Sequence, residues 1–275
     1  MVLLSSGLLI RYWVLGGNMP KIAITGKGGV GKTTLTSLLA YIYAERGQRV
    51  LAIDADPNAN LSVALGMPMD VADPITPIAE MNELIYERTG ARPGEFGGFF
   101  KLNPRVDDIP DRFSAEWRGV RLLVMGAIKG GGAGCFCPES ALLKHLVRHL
   151  LLQRSEVIIL DMEAGIEHLG RGTAGAVDAM IVVVEPGQRS LRTAQTISRL
   201  AADIGIEEVY VVGNKVRSQA DRDFITESLP GFRVIGFLSD SPLAIEADRR
   251  GIAVFDLDPQ MVEEAEAIAD GLFSL

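Results

Sequence analysis

The feature that most constrains this chain is a glycine-rich segment from Gly26 to Thr33, GKGGVGKT, which fits the pattern GxxxxGK[ST]. Glycines let successive backbone N–H groups turn inward around a phosphate, where larger side chains would block the approach. Lys32 is then expected to contact β- and γ-phosphate oxygens, and the hydroxyl of Thr33 to bind Mg²⁺. The segment therefore predicts that the chain binds ATP or GTP.

The sequence on either side of this segment predicts a strand before it and a helix after it, the context that such loops require. Lys21–Thr25 is a short apolar run, and from Thr34 to Arg46 apolar residues recur at helical spacing before Gly47. An accidental glycine-rich turn is therefore a poor explanation. The residues expected to contact the nucleotide here are Gly28, Gly29, Val30, Gly31, Lys32, Thr33 and Thr34.

The rest of the chain alternates strand and helix patterns, which predicts an α/β fold with a mostly parallel central sheet and helices on both faces. Strands are predicted at Arg49–Ile53, Val120–Ala127, Val157–Asp161, Met180–Glu185, Val209–Gly213 and Arg233–Leu238. Helices are predicted at Pro77–Thr89, Ser140–Arg154, Leu191–Ile204, Asp221–Leu229, Leu243–Arg250 and Gln260–Phe273. Without a repeat or linker, residues 19–275 are expected to form a single P-loop ATPase domain. Gly90–Trp117 is irregular and is interpreted as an insertion or surface loop, where a client protein could dock.

Composition narrows the class of protein. The chain has 275 residues, 48% of them hydrophobic, which is enough for a large core. Its net charge of −8 argues against nucleic acid as the main partner, since a phosphate backbone favours a basic face. No apolar run reaches the roughly 20 residues that span a bilayer. Two cysteines in so long a chain favour a reducing compartment, and we expect a cytoplasmic protein with no membrane partner.

Residues 1–18 precede the predicted domain. Val2–Ile10 is apolar like a signal-peptide core, but no basic segment precedes it. Met19 would begin the first predicted strand almost immediately. We therefore expect residues 1–18 to be an extension from a misplaced start or a disordered segment. An exported protein is the other interpretation, and it fits poorly with a site that needs cytosolic ATP.

Acidic residues follow two of the predicted strands, at the edge of the sheet where ligands bind in such folds. Asp54 and Asp56 come after the second strand. Asp161 follows four apolar residues and opens the segment Asp161–Gly165, a pattern typical of a carboxylate that holds Mg²⁺. Ordinary turn aspartates are the alternative for each, but a neighbouring phosphate loop favours a magnesium site.

The second lysine of the glycine-rich segment, Lys27, carries a resemblance to a family. It is the mark of the deviant Walker A ATPases, which include MinD, the nitrogenase iron protein and metal-insertion ATPases. The resemblance implies a homodimer in which Lys27 crosses to the partner's phosphates, much as an arginine finger does. It also implies that Asp56 places the attacking water, that Asp54 supports the Mg²⁺ shell and that Asp161–Gly165 senses the γ-phosphate. Asn214 and Lys215 resemble the segment that contacts adenine, although a loop-capping asparagine is equally common.

The two cysteines predict a metal site. Cys135 and Cys137 follow a glycine run and precede Pro138, where a helix is expected to start. With one residue between them, the two thiols of an extended segment lie on the same side and can bind one soft metal together. A closed site needs four ligands, so two chains related by a twofold axis would complete it. Two buried, inert cysteines are the alternative.

The wider context of these cysteines, together with the segment Asp161–Leu169, resembles the CooC-type ATPases that insert nickel into carbon monoxide dehydrogenase. The resemblance runs from about Met19 to the C-terminal helix and implies that ATP brings two CxC pairs together around one Ni²⁺, which hydrolysis releases to that enzyme. Zn²⁺ also fits a thiolate site. Ser239 departs from the pattern, because many relatives of the wider family carry proline there.

Other interpretations remain open from the sequence. An ATP-driven electron carrier would bridge a [4Fe–4S] cluster between two chains, although its cysteines would be expected far apart. A MinD/ParA-like spatial regulator often ends in a basic membrane helix, whereas this chain has the acidic run Val262–Glu266. His145 and His149, four apart on a helix, could bind a metal, and His168 could relay the nucleotide state. For each histidine a structural or surface role is at least as common.

Overall fold

The computed structural model describes residues 19–93, 99–126, 137–166, 169 and 174–272. Its strands are β1 (Lys21–Thr25), β2 (Val50–Ala55), β3 (Ala115–Trp117), β4 (Val120–Val124), β5 (Val157–Met162), β6 (Ala179–Val184), β7 (Val209–Val216) and β8 (Arg233–Ser239). Its α-helices are α1 (Lys32–Glu45), α2 (Leu61–Ala64), α3 (Met69–Ala72), α4 (Asn82–Thr89), α5 (Ile109–Phe113), α6 (Pro138–Gln153), α7 (Gln188–Ile204), α8 (Gln219–Ser228), α9 (Pro242–Arg250) and α10 (Pro259–Gly271). None of these helices combines the length and apolar character needed to cross a membrane.

The strands form one eight-stranded sheet in the order β3-β4-β2-β5-β1-β6-β7-β8. Every pairing is parallel except that of β3 with β4. The predicted α/β fold with a mostly parallel sheet is therefore confirmed. Because β1 lies between β5 and β6, the loop after β1 has the carboxyl end of a different strand on each side.

The sheet separates two hydrophobic cores. Alternate residues of one strand enter different cores, as the period of two in a strand requires: Ile22 and Ile24 of β1 lie in one core and Ala23 lies in the other. Helices α1 and α10 pack in the first core, and α6 and α7 pack in the second. Burial on both faces explains why the central strands are continuously apolar in sequence.

The structure differs from the sequence prediction at several boundaries. The segment Gly90–Trp117 is not only a loop, since it contains α5 and the antiparallel strand β3. The helix predicted over Pro77–Thr89 is divided at Met81, whose ψ of 72° interrupts helical geometry between a 3₁₀ turn and α4. Strand β7 continues beyond Gly213 to Val216 with a register shift in its pairing with β8. Residues 1–18, 94–98, 127–136, 167–168, 170–173 and 273–275 lie outside the described part.

Candidate functional site

The glycine-rich loop between β1 and α1 has a conformation that requires glycine at two positions. Gly26 has φ 147°, and a Cβ there would lie 2.4 Å from the Val183 carbonyl oxygen. Gly31 has φ 95°, and its Cβ would lie 2.0 Å from Nδ2 of Asn214. The loop is therefore held against the ends of neighbouring strands, in a shape that side chains would prevent.

The loop ends where α1 begins, at Lys32, which is only 7% exposed. Thr33 and Thr34 follow in the first turn and are partly exposed. The first turn of a helix offers unpaired N–H groups and the positive end of the helix dipole, which together attract phosphate. Loop and helix thus place a lysine, two hydroxyls and backbone N–H groups at one point, an arrangement suited to phosphate.

Asp54 and Asp161 are brought together by the sheet. They are direct neighbours in the register of β2 and β5, and both are 1% exposed. Neither carboxylate oxygen of Asp161 has a hydrogen-bond partner within the described residues. The pKa of Asp161 is raised to about 7, chiefly by burial and also by the nearby Asp54, while the Thr33 hydroxyl and Lys32 oppose the rise. A buried carboxylate with open oxygens beside a threonine hydroxyl fits the ligands that Mg²⁺ takes.

Asp54 has a different local role. Its Oδ2 accepts hydrogen bonds from the backbone N–H groups of Asn60 (3.0 Å) and Leu61 (2.9 Å), and its Oδ1 accepts one from Asp56 (3.2 Å). Burial raises the pKa of Asp54 to about 6, and these three N–H groups oppose the rise. Asp54 therefore fixes the loop after β2, which presents the partly exposed Asp56 at the edge of the sheet.

The segment after β5 is tied to the strand that leads into the glycine-rich loop. The hydroxyl of Thr25 donates to the carbonyl oxygens of Glu163 (2.8 Å) and Gly165 (3.1 Å), and the Gly165 N–H donates back to that hydroxyl (3.3 Å). These hydrogen bonds connect the segment after β5 directly to the end of β1. His168, which follows, lies outside the described residues.

Asn214 and Lys215 lie against the glycine-rich loop. The Asn214 amide donates to the Val30 carbonyl at 2.8 Å, and its Oδ1 accepts from the Lys215 N–H at 2.7 Å. Lys215 has φ 56°, unusual for a residue other than glycine, and its ammonium donates to the Gly29 carbonyl at 2.6 Å. The structure thus shows both residues supporting the loop, and their contact with adenine stays a prediction.

A cavity of about 340 Å³ opens beside the first turns of α1. Thr33, Thr34 and Ser37 line one side, and Ala244, Ala247 and Asp248 of α9 line another. Because Thr33 and Thr34 also form the first turn of α1, the cavity adjoins the expected phosphate site.

Of the two cysteines, Cys137 lies in the described part and Cys135 does not. Cys137 is partly exposed and precedes α6, accepting at its carbonyl the Ala141 N–H at 3.0 Å. A helix N-terminus favours the thiolate form of cysteine. Cys137 lines a cavity of about 290 Å³ together with His145. Burial lowers the pKa of both His145 and His149. Among the described residues, no three His, Cys, Asp or Glu side chains lie close enough together to hold a metal ion.

Two acidic residues near these sites escaped the sequence prediction. Glu139, in the first turn of α6, is 6% exposed, and its Oε2 has no hydrogen-bond partner among the described residues. Glu185 directly follows β6 and forms ion pairs with Lys27 and Lys215. In sequence each is a single carboxylate without a motif, and only the order of the strands brings Glu185 to the glycine-rich loop.

The raised pKa of Asp161 predicts how stability depends on pH. A carboxyl group whose pKa is higher in the folded than in the unfolded chain contributes stability that is fully present below about pH 4 and is lost as the pH rises through 7. Without Mg²⁺ and nucleotide, we expect Asp161→Asn to exceed the wild type in free energy of unfolding at pH 8 by about 2–4 kcal/mol, and by much less at pH 5. Urea unfolding in EDTA at both pH values measures this difference.

The control for this measurement is Asp203→Asn, which removes an exposed carboxylate from α7. It is expected to change the free energy of unfolding little and equally at both pH values. An Asp161→Asn protein that gains no stability at pH 8 relative to pH 5 would contradict a protonated, buried Asp161.

Comparison with known proteins agrees with this geometry. Residues 21–254 match the family model of the CobQ/CobB/MinD/ParA nucleotide binding domain. The chain is 46% identical over 252 residues to the carbon monoxide dehydrogenase accessory protein CooC of Rhodospirillum rubrum, covering 92% of this chain and 95% of that protein. It is 45% identical over 258 residues to an uncharacterized ATP-binding protein of Methanocaldococcus jannaschii, covering 93% and 98%.

Among solved structures, a ParA family ATPase from Chlorobium tepidum superposes with a TM-score of 0.66 at 18% identity, covering 94% of this chain and 99% of that one. At that identity the likeness shows the fold alone. The sequence matches go further, because they extend over nearly the whole of both chains, and the residues matched by the family model span the glycine-rich loop. The chain therefore belongs to the CobQ/CobB/MinD/ParA nucleotide-binding family, as a CooC-type, MinD-like P-loop ATPase.

Proposed function

We propose that this protein is an ATP-hydrolysing, cytoplasmic homodimer that binds Ni²⁺ between two CxC pairs and inserts it into carbon monoxide dehydrogenase. The proposal is carried by the presence of two motifs, a nucleotide-binding loop and a cysteine pair, in one chain. A P-loop with the second lysine Lys27 occurs together with the Cys135/Cys137 pair, in a sequence 46% identical to an accessory protein of that enzyme. The nucleotide site supplies the energy, and the thiols hold the cargo.

The first part of the mechanism is nucleotide binding by one protomer. The backbone of Gly28 to Gly31 surrounds the β-phosphate, and Lys32 neutralises the β- and γ-phosphate oxygens. Thr33 and Asp161 would hold Mg²⁺, and Asp54 would support them from the next strand. Bound there, Mg²⁺ supplies positive charge against the triphosphate.

The second part is hydrolysis across a dimer. Asp56, held at the end of β2 by the hydrogen bond of its N–H to Asp54, orients a water molecule toward the γ-phosphate. Lys27 crosses to the phosphates of the partner and stabilises the negative charge of the transition state. Because each protomer completes the other's site, hydrolysis requires the dimer.

The third part is the metal cargo. Cys137 precedes α6, and the positive end of a helix favours the thiolate form of cysteine that binds metal. One chain offers two thiolates from its CxC pair. A second chain, related to the first by a twofold axis, supplies two more and completes a set of four ligands. Ni²⁺ is the cargo that the similarity to the dehydrogenase accessory protein favours, and Zn²⁺ fits the same ligands.

The contact between Thr25 and the segment after β5 connects these parts. Asp161 lies at the γ-phosphate side, and Gly165, four residues later, is hydrogen-bonded to Thr25 at the entry to the P-loop. Loss of the γ-phosphate removes negative charge from the neighbourhood of Asp161, and the segment Asp161–Gly165 moves in response. The dimer then opens and releases the metal to the client.

The dimer is tested by Lys27→Ala. Lys27 is 39% exposed at its side chain and lies on the rim of the loop, so the variant is expected to bind ATP within about threefold of the wild type. It should no longer dimerise with a slowly hydrolysed ATP analogue, and its turnover should fall about 100-fold or more, because the transition-state charge is left unpaired. Sedimentation velocity and steady-state hydrolysis measure the two effects.

The matched control is Lys101→Ala, which removes one exposed lysine from a loop. It is expected to dimerise and hydrolyse ATP as the wild type does. Normal ATP-dependent dimerisation of Lys27→Ala would exclude the role of Lys27 across the interface.

A further inference from the structure

The carboxylate of Glu185 lies between two lysines at the mouth of the P-loop. Its Oε1 is 3.4 Å from Nζ of Lys27, and its Oε2 is 3.6 Å from Nζ of Lys215. Glu185 directly follows β6, the strand beside β1 on the side opposite β5. The lysine that we assign to the partner's ATP is therefore held, in the isolated chain, by a carboxylate of its own protomer.

The position of Glu185 is fixed from several directions. Its backbone N–H donates to the Ser190 hydroxyl at 3.1 Å, which anchors it to the first turn of α7. Lys215, its second partner, is also fixed, because its ammonium donates to the Gly29 carbonyl. The carboxylate thus connects the ends of β6 and β7 with the rim of the P-loop. Both lysine side chains are partly exposed, but only that of Lys215 is also hydrogen-bonded to the loop among the described residues, so Lys27 is the one that can leave.

The pair between Lys27 and Glu185 is suited to exchange. The two side chains are 39% and 30% exposed, and ion pairs so close to solvent are weak. The triphosphate of a bound nucleotide carries more negative charge than one carboxylate and accepts hydrogen bonds at several oxygens. Lys27 can therefore pass from Glu185 to a phosphate on a second protomer, whereas Glu185 keeps Lys215.

We propose that Glu185 is a positioning residue that holds Lys27 over its own P-loop until ATP on a partner protomer takes the lysine. The proposal rests on the function proposed above, in which Lys27 acts across the dimer. It adds a competing contact that sets how much ATP is needed to form that dimer. Loss of the Glu185 charge releases Lys27 early and favours the ATP-bound dimer.

The test compares the wild type with Glu185→Gln in two measurements. In the nucleotide-free protein, acetylation of Lys27 by a limiting amount of an acylating reagent is followed by mass spectrometry. With a slowly hydrolysed ATP analogue, sedimentation gives the nucleotide concentration at which half of the protein is dimeric. We expect faster acetylation of Lys27, and a half-dimer concentration lower by about two- to fivefold, the factor that a weak surface ion pair supplies.

Two controls separate this effect from a general change of charge or of structure. Glu263→Gln removes an exposed carboxylate from α10 and is expected to match the wild type in both measurements. Glu185→Asp keeps the charge and is expected to restore much of the wild-type behaviour. The difference between Glu185→Gln and wild type should also shrink at high salt, because screening weakens an exposed pair.

The outcomes are distinguishable. A wild type that dimerises with the analogue, beside a Glu185→Gln protein with the same half-dimer concentration, would overturn the role of Glu185 and leave the dimer intact. Unchanged acetylation of Lys27 in Glu185→Gln would likewise overturn it. A wild type that stays monomeric with the analogue would instead overturn the proposed function, and the role of Glu185 with it.

Discussion

Replacing Lys32 with alanine is expected to abolish ATP hydrolysis and to weaken ATP binding about 100-fold or more. Lys32 is 7% exposed at the start of α1, next to the N–H groups that face the phosphates. Without its ammonium, the β- and γ-phosphate charges lose their main partner in a site partly shielded from water, where such contacts are strong. Isothermal titration with an ATP analogue and a phosphate-release assay measure binding and turnover.

Lys101→Ala serves again as the control, because it removes an exposed lysine that lies in a loop outside the phosphate site. Circular dichroism should show that both variants fold. Phosphate release by Lys32→Ala at the wild-type rate would refute the assignment of the nucleotide site.

Replacing both Cys135 and Cys137 with serine is expected to remove all stoichiometric metal from the protein. A serine hydroxyl is not deprotonated at neutral pH and is a poor ligand for a soft metal, so the site loses all four thiolates at once in a dimer. ATP hydrolysis should stay within about threefold of the wild type, because the P-loop, Asp56 and Asp161 are unchanged. Metal analysis after anaerobic loading with Ni²⁺ and a parallel phosphate-release assay measure the two properties.

His145→Ala is the matched control, because His145 lines the same cavity as Cys137. It is expected to keep its metal, since two CxC pairs already supply four ligands. Retention of bound metal by the double serine variant would move the site away from the cysteines. Loss of metal in His145→Ala would add the histidine to the ligand set.

The strand, loop and helix around the glycine-rich segment could be predicted from sequence because their signals are local. The strand Lys21–Thr25 has the predicted boundaries, and α1 begins at Lys32, two residues before the predicted helix. The pattern GxxxxGK[ST] occurs in a loop between a strand and a helix, so the motif itself predicts the elements on either side of it. The order of strands then brings Asp54 and Asp161 to neighbouring positions, as ligand binding at the carboxyl ends of strands predicts.

The prediction failed where structure depends on contacts distant in sequence. Strand β3 has three residues, too few for its alternation of Ala, Glu and Trp to indicate a strand, and it forms because its backbone pairs with β4. Helix α5 is five residues long, and its buried Ile109 belongs to a core that only the folded chain creates. Short elements carry too few residues for periodicity to be read.

The role of Glu185 shows the same limit within the site. Its sequence, at the end of an apolar strand, gives no sign of a partner. Lys27 lies 158 residues away, and the two meet because β6 is the neighbour of β1 in the sheet. Lys215 likewise reaches the Gly29 carbonyl, 186 residues away, because β7 is the neighbour of β6 in the sheet.

The central claim is that two chains share one metal through their CxC pairs when ATP is bound. The most direct test is the nickel and labile sulfide content per chain of anaerobically prepared protein, loaded with Ni²⁺ and isolated as the dimer with a slowly hydrolysed ATP analogue. The account predicts about one Ni²⁺ per two chains without sulfide, and none in the double serine variant. About four iron and four sulfide per dimer would contradict it and indicate an ATP-driven electron carrier.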